Sequence, residues 1–183
     1  MSLLFVNACM REDSRTERLA RSWLEGYEGE VIELNIADAD VRPLDPARLA
    51  TYSTSVAAAN FDDKLFAYAH QFAQADEVLI AAPFWNYSIP AKLHDYLELV
   101  CSQGVTFDID ETGAYVSLCH IGRITFVTTA GGAEVAPEDD HAFGYVRTLA
   151  TRFWHVGEVQ RIAAWGLDGP GADVDALLAA ALV

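Results

Sequence analysis

Short apolar runs alternate along this chain with stretches in which apolar residues recur at helical spacing. Leu3 to Val6 is a continuous apolar run, as in a strand covered on both faces, and Asn7 begins the turn that ends it. From Thr16 onward Leu19, Ala20, Trp23, Leu24 and Tyr27 share one helical face, with Gly26 and Gly29 as stop signals. Val31 to Ile36 reads as a second strand. Ala37 to Asn60 is a long, proline-containing connection with helical potential around Pro46 to Leu49. Phe61, Leu65, Ala69, Phe72 and Ala73 predict the next helical face, Val78 to Ala82 a third strand, and Pro90 to Cys101 a helix with Leu93, Leu97 and Val100 inward.

In the second half, Phe107 and Ile109, the turn residues Glu111 to Gly113, and Tyr115 to Leu118 predict a hairpin-like excursion between Val105 and Leu118. Arg123 to Thr129 reads as a strand, Ala142 to Trp154 as a helix, Val159 to Trp165 as a final strand and Asp173 to Leu182 as a closing helix. Five strands alternating with helices imply an α/β fold, a three-layer, doubly wound sandwich around a parallel sheet. The flavodoxin-like strand order 2-1-3-4-5 is the common solution for that count.

Length and composition narrow the class. With 183 residues, 52% of them hydrophobic and 21% charged, one domain over residues 1–183 with a sizeable core is expected. The net charge of -15, from 27 acids against 12 bases, argues against a nucleic-acid or anionic-membrane partner, because phosphates would be repelled. No basic, apolar and cleavable leader is present, and no apolar run approaches a membrane span, so a cytoplasmic protein is expected. Cys9, Cys101 and Cys119 suggest neither a disulfide framework nor a zinc ribbon. His70, His94, His120, His141 and His155 show no metal-ligand spacing, so no metal is expected.

Candidate chemistry concentrates in three loops. Pro83 has no N–H to continue a ladder, so the third strand stops there, and the loop Phe84-Trp85-Asn86-Tyr87 leads to Ser88, a candidate helix cap, and to Pro90 in the first turn. The same residues can also be read as a well-capped turn with its aromatics in the core. After strand one, Ser14 and Thr16 hydroxyls, helix amides and an arginine could hold a phosphate. Equally, Ser14 with Glu17 fits a capping box, with Arg11, Arg15, Arg18 and Arg21 in solvent. After strand four, Thr128-Thr129-Ala130-Gly131-Gly132 lets backbone approach a ligand, or forms an ordinary loop. In a doubly wound sheet these three loops meet at one edge.

Ala82-Pro83-Phe84-Trp85-Asn86-Tyr87-Ser88-Ile89-Pro90, followed by Lys92-Leu93 and Tyr96-Leu97, resembles the signature loop and helix of FMN-dependent NAD(P)H oxidoreductases of the azoreductase and NAD(P)H:quinone reductase type. The resemblance implies FMN as cofactor, NADH or NADPH as cosubstrate, and hydride transfer through the flavin to a quinone, azo compound or similar flat acceptor by a ping-pong mechanism. It implies that Arg11, Ser14, Arg15 and Thr16 bind the FMN phosphate. Pro83, Phe84, Trp85, Asn86 and Tyr87 would flank the isoalloxazine, and Thr129, Ala130, Gly131 and Gly132 would contact its pyrimidine edge. Asn86 and Trp85 take the catalytic positions, with backbone amides near Asn86 facing N5. Relatives build the pocket across a homodimer, and Trp85, Phe107 and Tyr115, expected to be exposed, suit such an interface, the alternative being plain core packing. The chain departs from the pattern at Ala8 and Cys9, where many relatives place a serine after the first strand, and at Ala130, where several carry arginine.

Two other classes share this architecture. Cys9, five residues, Arg15 and Thr16 match the Cys-x5-Arg-Ser/Thr pattern of low-molecular-weight phosphatases and related arsenate reductases, in which a thiolate attacks an anion cradled by loop amides. Glu12 and Asp13 would face that anion, and no glycine supplies the loop's turn. A flavodoxin-like electron carrier would suit the acidic charge, but such carriers lack the Asn-Tyr-Ser-Ile-Pro segment.

Overall fold

In a computed structural model, which describes residues 1–183, the elements run β1 (Ser2–Asn7), α1 (Arg15–Leu24), β2 (Glu30–Asn35), α2 (Pro46–Ala58), α3 (Ala67–Gln74), β3 (Glu77–Ala81) and α4 (Ala91–Val100). There follow β4 (Phe107–Ile109), β5 (Tyr115–Ser117), β6 (Arg123–Thr129), α5 (His141–Arg152), β7 (Glu158–Ala164) and α6 (Val174–Ala180). Five strands form one sheet in the order β2-β1-β3-β6-β7, every neighbouring pair parallel. Counted among the sheet's own strands, this is the order 2-1-3-4-5. β4 and β5 make a separate antiparallel hairpin, as their alternation predicts.

Because successive side chains of a strand point to opposite faces, each central strand contributes to two cores. Leu4, Val6, Val78, Ile80, Ile124 and Phe126 face α3, α4 and α5, in a cluster that also takes in Phe72, Leu93, Leu97 and Trp154. Leu3, Phe5, Leu79, Ala81 and Val127 face α1 and α6 through Leu19, Ala20 and Leu178. Burying each such side chain stabilises the fold by about 1.5–3 kcal/mol before chain entropy is counted. No helix is long and apolar enough to cross a membrane.

Several local expectations are corrected. The helix expected around Pro46 to Leu49 runs on to Ala58, started by the Asp45 carboxylate, which accepts from the amides of Ala47 and Arg48. Phe61 is not on the next helix. It lies ahead of a short 3-10 turn, Lys64–Phe66, and packs edge-on against Phe66 at 5.2 Å. Pro90 sits at the cap position of α4 rather than inside its first turn, and no side chain caps that helix. Ser88 instead directs its hydroxyl toward His94 Nε2 at 3.4 Å. Phe107 is buried, with 7% of its surface accessible, because the end of α5 brings Phe153 against it at 4.8 Å.

Candidate functional site

β1, β3, β6 and β7 all end on the same edge of the sheet, so the loops that follow them meet there. They enclose a cleft of about 300 Å³. From the first loop, Arg11, Ser14, Arg15 and Thr16 line it; from the second, Pro83, Phe84 and Trp85; from the third, Thr129, Ala130, Gly131 and Gly132. Asn86 and Tyr87 lie outside the lining, next along the chain from Trp85 and exposed.

The first loop is braced from below. Asn7 is 2% exposed, and its side-chain oxygen accepts from the Cys9 amide at 3.1 Å while its amide nitrogen donates to Glu17 at 3.1 Å and Glu33 at 3.3 Å. Arg21 closes this network on both carboxylates, and its guanidinium, ahead of the bond from Asn7, holds the Glu33 carboxyl below the usual carboxylate range. Both sequence readings of Ser14 are therefore partly met. Ser14 does cap α1, accepting from the Glu17 amide at 3.3 Å, but Glu17 turns to Asn7 and Arg21 instead of completing a capping box. Of the arginines expected in solvent, Arg18 pairs with Asp175, Arg21 with Glu17 and Glu33, and Arg15 with Asp168.

The Thr16 and Thr129 hydroxyls share a 2.6 Å hydrogen bond that ties the first turn of α1 to the end of β6. In that first turn the amides of Arg15 and Thr16 have no acceptor within the chain, as the geometry of a helix start dictates. They point the positive end of the helix dipole at the cleft.

The second loop is a tight turn. Trp85 and Ser88 exchange two backbone hydrogen bonds, each 2.9 Å, and the two residues between them, Asn86 and Tyr87, have φ of 52° and 63°. Two positive φ values in succession are the signature of a type I′ turn, for which Asn is suited and Tyr is not. A residue such as Tyr87 held there costs about 1–3 kcal/mol, and strain of this kind concentrates at ligand sites. Backbone bonds from Phe84 to Thr129 and from His141 to Tyr87 hold the turn against its neighbours. Phe84 packs edge-on against Tyr87 at 6.0 Å and Trp165 at 5.0 Å, and the Arg11 guanidinium lies over the Trp85 ring at 5.7 Å. The amides of Asn86, Tyr87, Gly131 and Gly132 also have no acceptor in the chain.

Two lining residues escape the sequence reading, Met10 and Asp168, while Asp13, read only as facing an anion in the phosphatase-like alternative, also lines the cleft. Asp168 lies in the loop after β7, the last strand, and the rule that strand-end loops converge would have found it had that loop been counted. With two arginines and two aspartates, the lining carries no net formal charge.

The donor set suits a flat, phosphorylated ligand such as FMN. Unpaired helix amides and the Ser14 and Thr16 hydroxyls line it from the first loop, the Phe84 and Trp85 rings from the second and glycine backbone from the third, with the unpaired amides of Asn86 and Tyr87 just beyond the lining. Gly132 has open space where a Cβ would stand. Ala8 and Cys9, which replace the serine of many relatives, are both buried and do not line the cleft, so their substitution removes a hydroxyl without blocking the space.

A family model described as a flavodoxin-like fold matches residues 1–183. An FMN-dependent NADH:quinone oxidoreductase of Coprothermobacter proteolyticus is 33% identical over 182 residues, spanning 94% of this chain and 90% of the relative. FMN-dependent NADH:quinone oxidoreductase 2 of Clostridium acetobutylicum is 32% identical over 186 residues, spanning 96% and 92%. Among solved structures, an azoreductase from Bacillus anthracis str. Sterne superposes with a TM-score of 0.80 at 24% identity, covering 100% of this chain and 95% of that one, a likeness of fold.

Cys9 is built differently from a catalytic thiol. It is 6% exposed, its Sγ points to the Ala81 carbonyl at 3.8 Å, and burial pushes its pKa up to about 11, a rise that the Ser14 hydroxyl only partly offsets. The thiolate forms only as pH climbs toward that value, so at pH 8 about one thiol in a thousand is ionised. Iodoacetamide at pH 8 is expected to alkylate Cys9 about two-hundredfold more slowly in the native chain than in the urea-unfolded one, read by peptide mass spectrometry. Native alkylation at the unfolded rate would contradict this assignment.

Proposed function

The chain belongs to the flavodoxin-like family of the FMN-dependent NADH:quinone oxidoreductases, and from that premise we propose that its cleft binds FMN and carries reducing equivalents from NADH to a quinone or another flat acceptor such as an azo compound. The observation that carries this reading is the meeting of three loops on one cleft, with unpaired backbone amides on the first and third of the loops that line it. Held there by the residues of the three loops, FMN would supply two-electron hydride chemistry between the nicotinamide and the acceptor.

The chain's own residues position and shield. The amides of Arg15 and Thr16, with the Ser14 and Thr16 hydroxyls, receive the phosphate at the helix start. Phe84 and Trp85 support the ring, and their contacts with Trp165, Tyr87 and Arg11 hold the two aromatic side chains in place. The strained turn aims the amides of Asn86 and Tyr87 outward, as donors for the ring edge where charge accumulates on reduction. The strain is held before any ligand arrives, so those dipoles need little reorganisation. One cleft serves both substrates in turn, which gives ping-pong kinetics, and an intracellular setting supplies the NADH.

We read the functional unit as a homodimer. Ile109, Tyr115, Val116 and Leu118 on the β4–β5 hairpin are each more than 40% exposed, and Trp85 and Tyr87 add exposed aromatic surface beside the cleft. A second copy would bury that surface and help roof the site. Light scattering on a sizing column is expected to give twice the 20.0 kDa chain mass, falling to the single-chain mass in Val116→Asp; a wild-type monomer would overturn the dimer.

The activity is tested by reconstituting the protein with FMN, desalting, and titrating anaerobically with NADH. Retained flavin absorbance that bleaches with one equivalent of NADH per flavin and recovers with one equivalent of benzoquinone is the expected result. Protein that emerges colourless, or flavin that NADH leaves oxidised, would contradict it.

A further inference from the structure

Of the two aspartates that line the cleft, Asp13 and Asp168, it is Asp168 whose carboxylate bonds a residue assigned to the phosphate. Its Oδ1 accepts from Arg15 Nη1 at 2.8 Å, and the same nitrogen donates to the Leu167 carbonyl at 3.0 Å. The loop that carries it is laced to the third loop by backbone bonds from Gly166 to Gly132, Leu167 to Ala130 and Asp168 to Gly131. A Cβ on Gly131 would run into the Asp168 carboxylate, so the glycine is what lets this side chain lie flat across the cleft wall. One nitrogen of Arg15 thus meets both a neutral carbonyl and a counter-charge from the same loop.

No other cation makes up the loss. Arg11 lies over Trp85 at the aromatic end, while Arg18 and Arg21 are paired on the outer side of α1 with Asp175 and with Glu17 and Glu33. The chain as a whole carries -15, which repels a dianion further.

We propose that Asp168 sets how strongly this cleft prefers a phosphorylated flavin: by cancelling the charge of Arg15 it leaves the phosphate end held by amides and hydroxyls, so that FMN is favoured over unphosphorylated riboflavin only modestly. This rests on the flavin reading above. Replacing the carboxylate by the isosteric amide keeps an acceptor for Arg15 and removes the charge. The pair is partly exposed, at 31% and 69%, so solvent screens the effect to about three- to fivefold rather than the larger factor of a buried pair.

The test is a fluorescence-quenching titration with FMN and with riboflavin on the wild type, Asp168→Asn, and the double variant Asp168→Asn with Arg15→Gln. The ratio of FMN to riboflavin affinity is expected to rise about three- to fivefold in Asp168→Asn and to return to the wild-type ratio or below in the double variant, with riboflavin affinity changed less than about 1.5-fold in Asp168→Asn. That last value reports an intact cleft. An unchanged or lower ratio in Asp168→Asn overturns the proposal, as does a rise that survives the loss of Arg15. Wild type that binds neither flavin would bring down the flavin reading itself; wild type that binds both with a ratio Asp168 does not move brings down this inference alone.

Discussion

The parallel register of the sheet is the constraint on which the site depends. Asn7 pairs with Ala81, Ala81 with Val127 and Thr129 with Ala164, so four strands finish within a residue or two of one another on the same edge. Each chain exit must turn back over that edge to reach its helix, and the turns therefore crowd together there. The two cores fix the strands in that register, because a slip of one residue would send Leu4 and Val6 to the face that Leu3 and Phe5 occupy. Packing far from the cleft is what makes the cleft.

Within that frame, polar contacts decide which groups remain free. Asn7, Glu17, Glu33 and Arg21 satisfy one another beneath the first loop, and the Thr16–Thr129 bond pins helix to strand. The donors left over are backbone amides, at the helix start, the strained turn and the glycine loop. Amides cannot titrate or swing away, so a ligand that meets them pays little for ordering its site. Arginine charge contributes less than the sequence promises, because Asp168 and the acids around α1 already engage it.

Much of this was legible in the sequence, and the reasons differ by residue. The strands stood out because both faces are covered, which leaves continuous apolar runs, and Pro83 marked the end of β3 without ambiguity. The three main loops could be brought together from topology alone. The length of α2 was hidden because no residue of that helix is buried, so Thr51, Tyr52, Thr54 and Val56 show no apolar period. Phe107 looked exposed because its partner, Phe153, is far off in sequence at the end of α5. Ser88 has a capping residue's chemistry, but Pro90 sets where the helix starts, and the serine falls too early. Asp168 meets Arg15 across 153 positions, a contact that no local pattern records.

The claim at the centre is that one cleft, at the joint edge of β1, β3, β6 and β7, holds the flavin. The most direct measurement is a crystal structure of the protein grown with FMN. The phosphate is expected against the first turn of α1 at Arg15 and Thr16, and the ring along Phe84 and Trp85 with its edge toward the amides of Asn86 and Tyr87. Flavin density at any other place on the molecule, or in this cleft with the phosphate at the aromatic end, would contradict it.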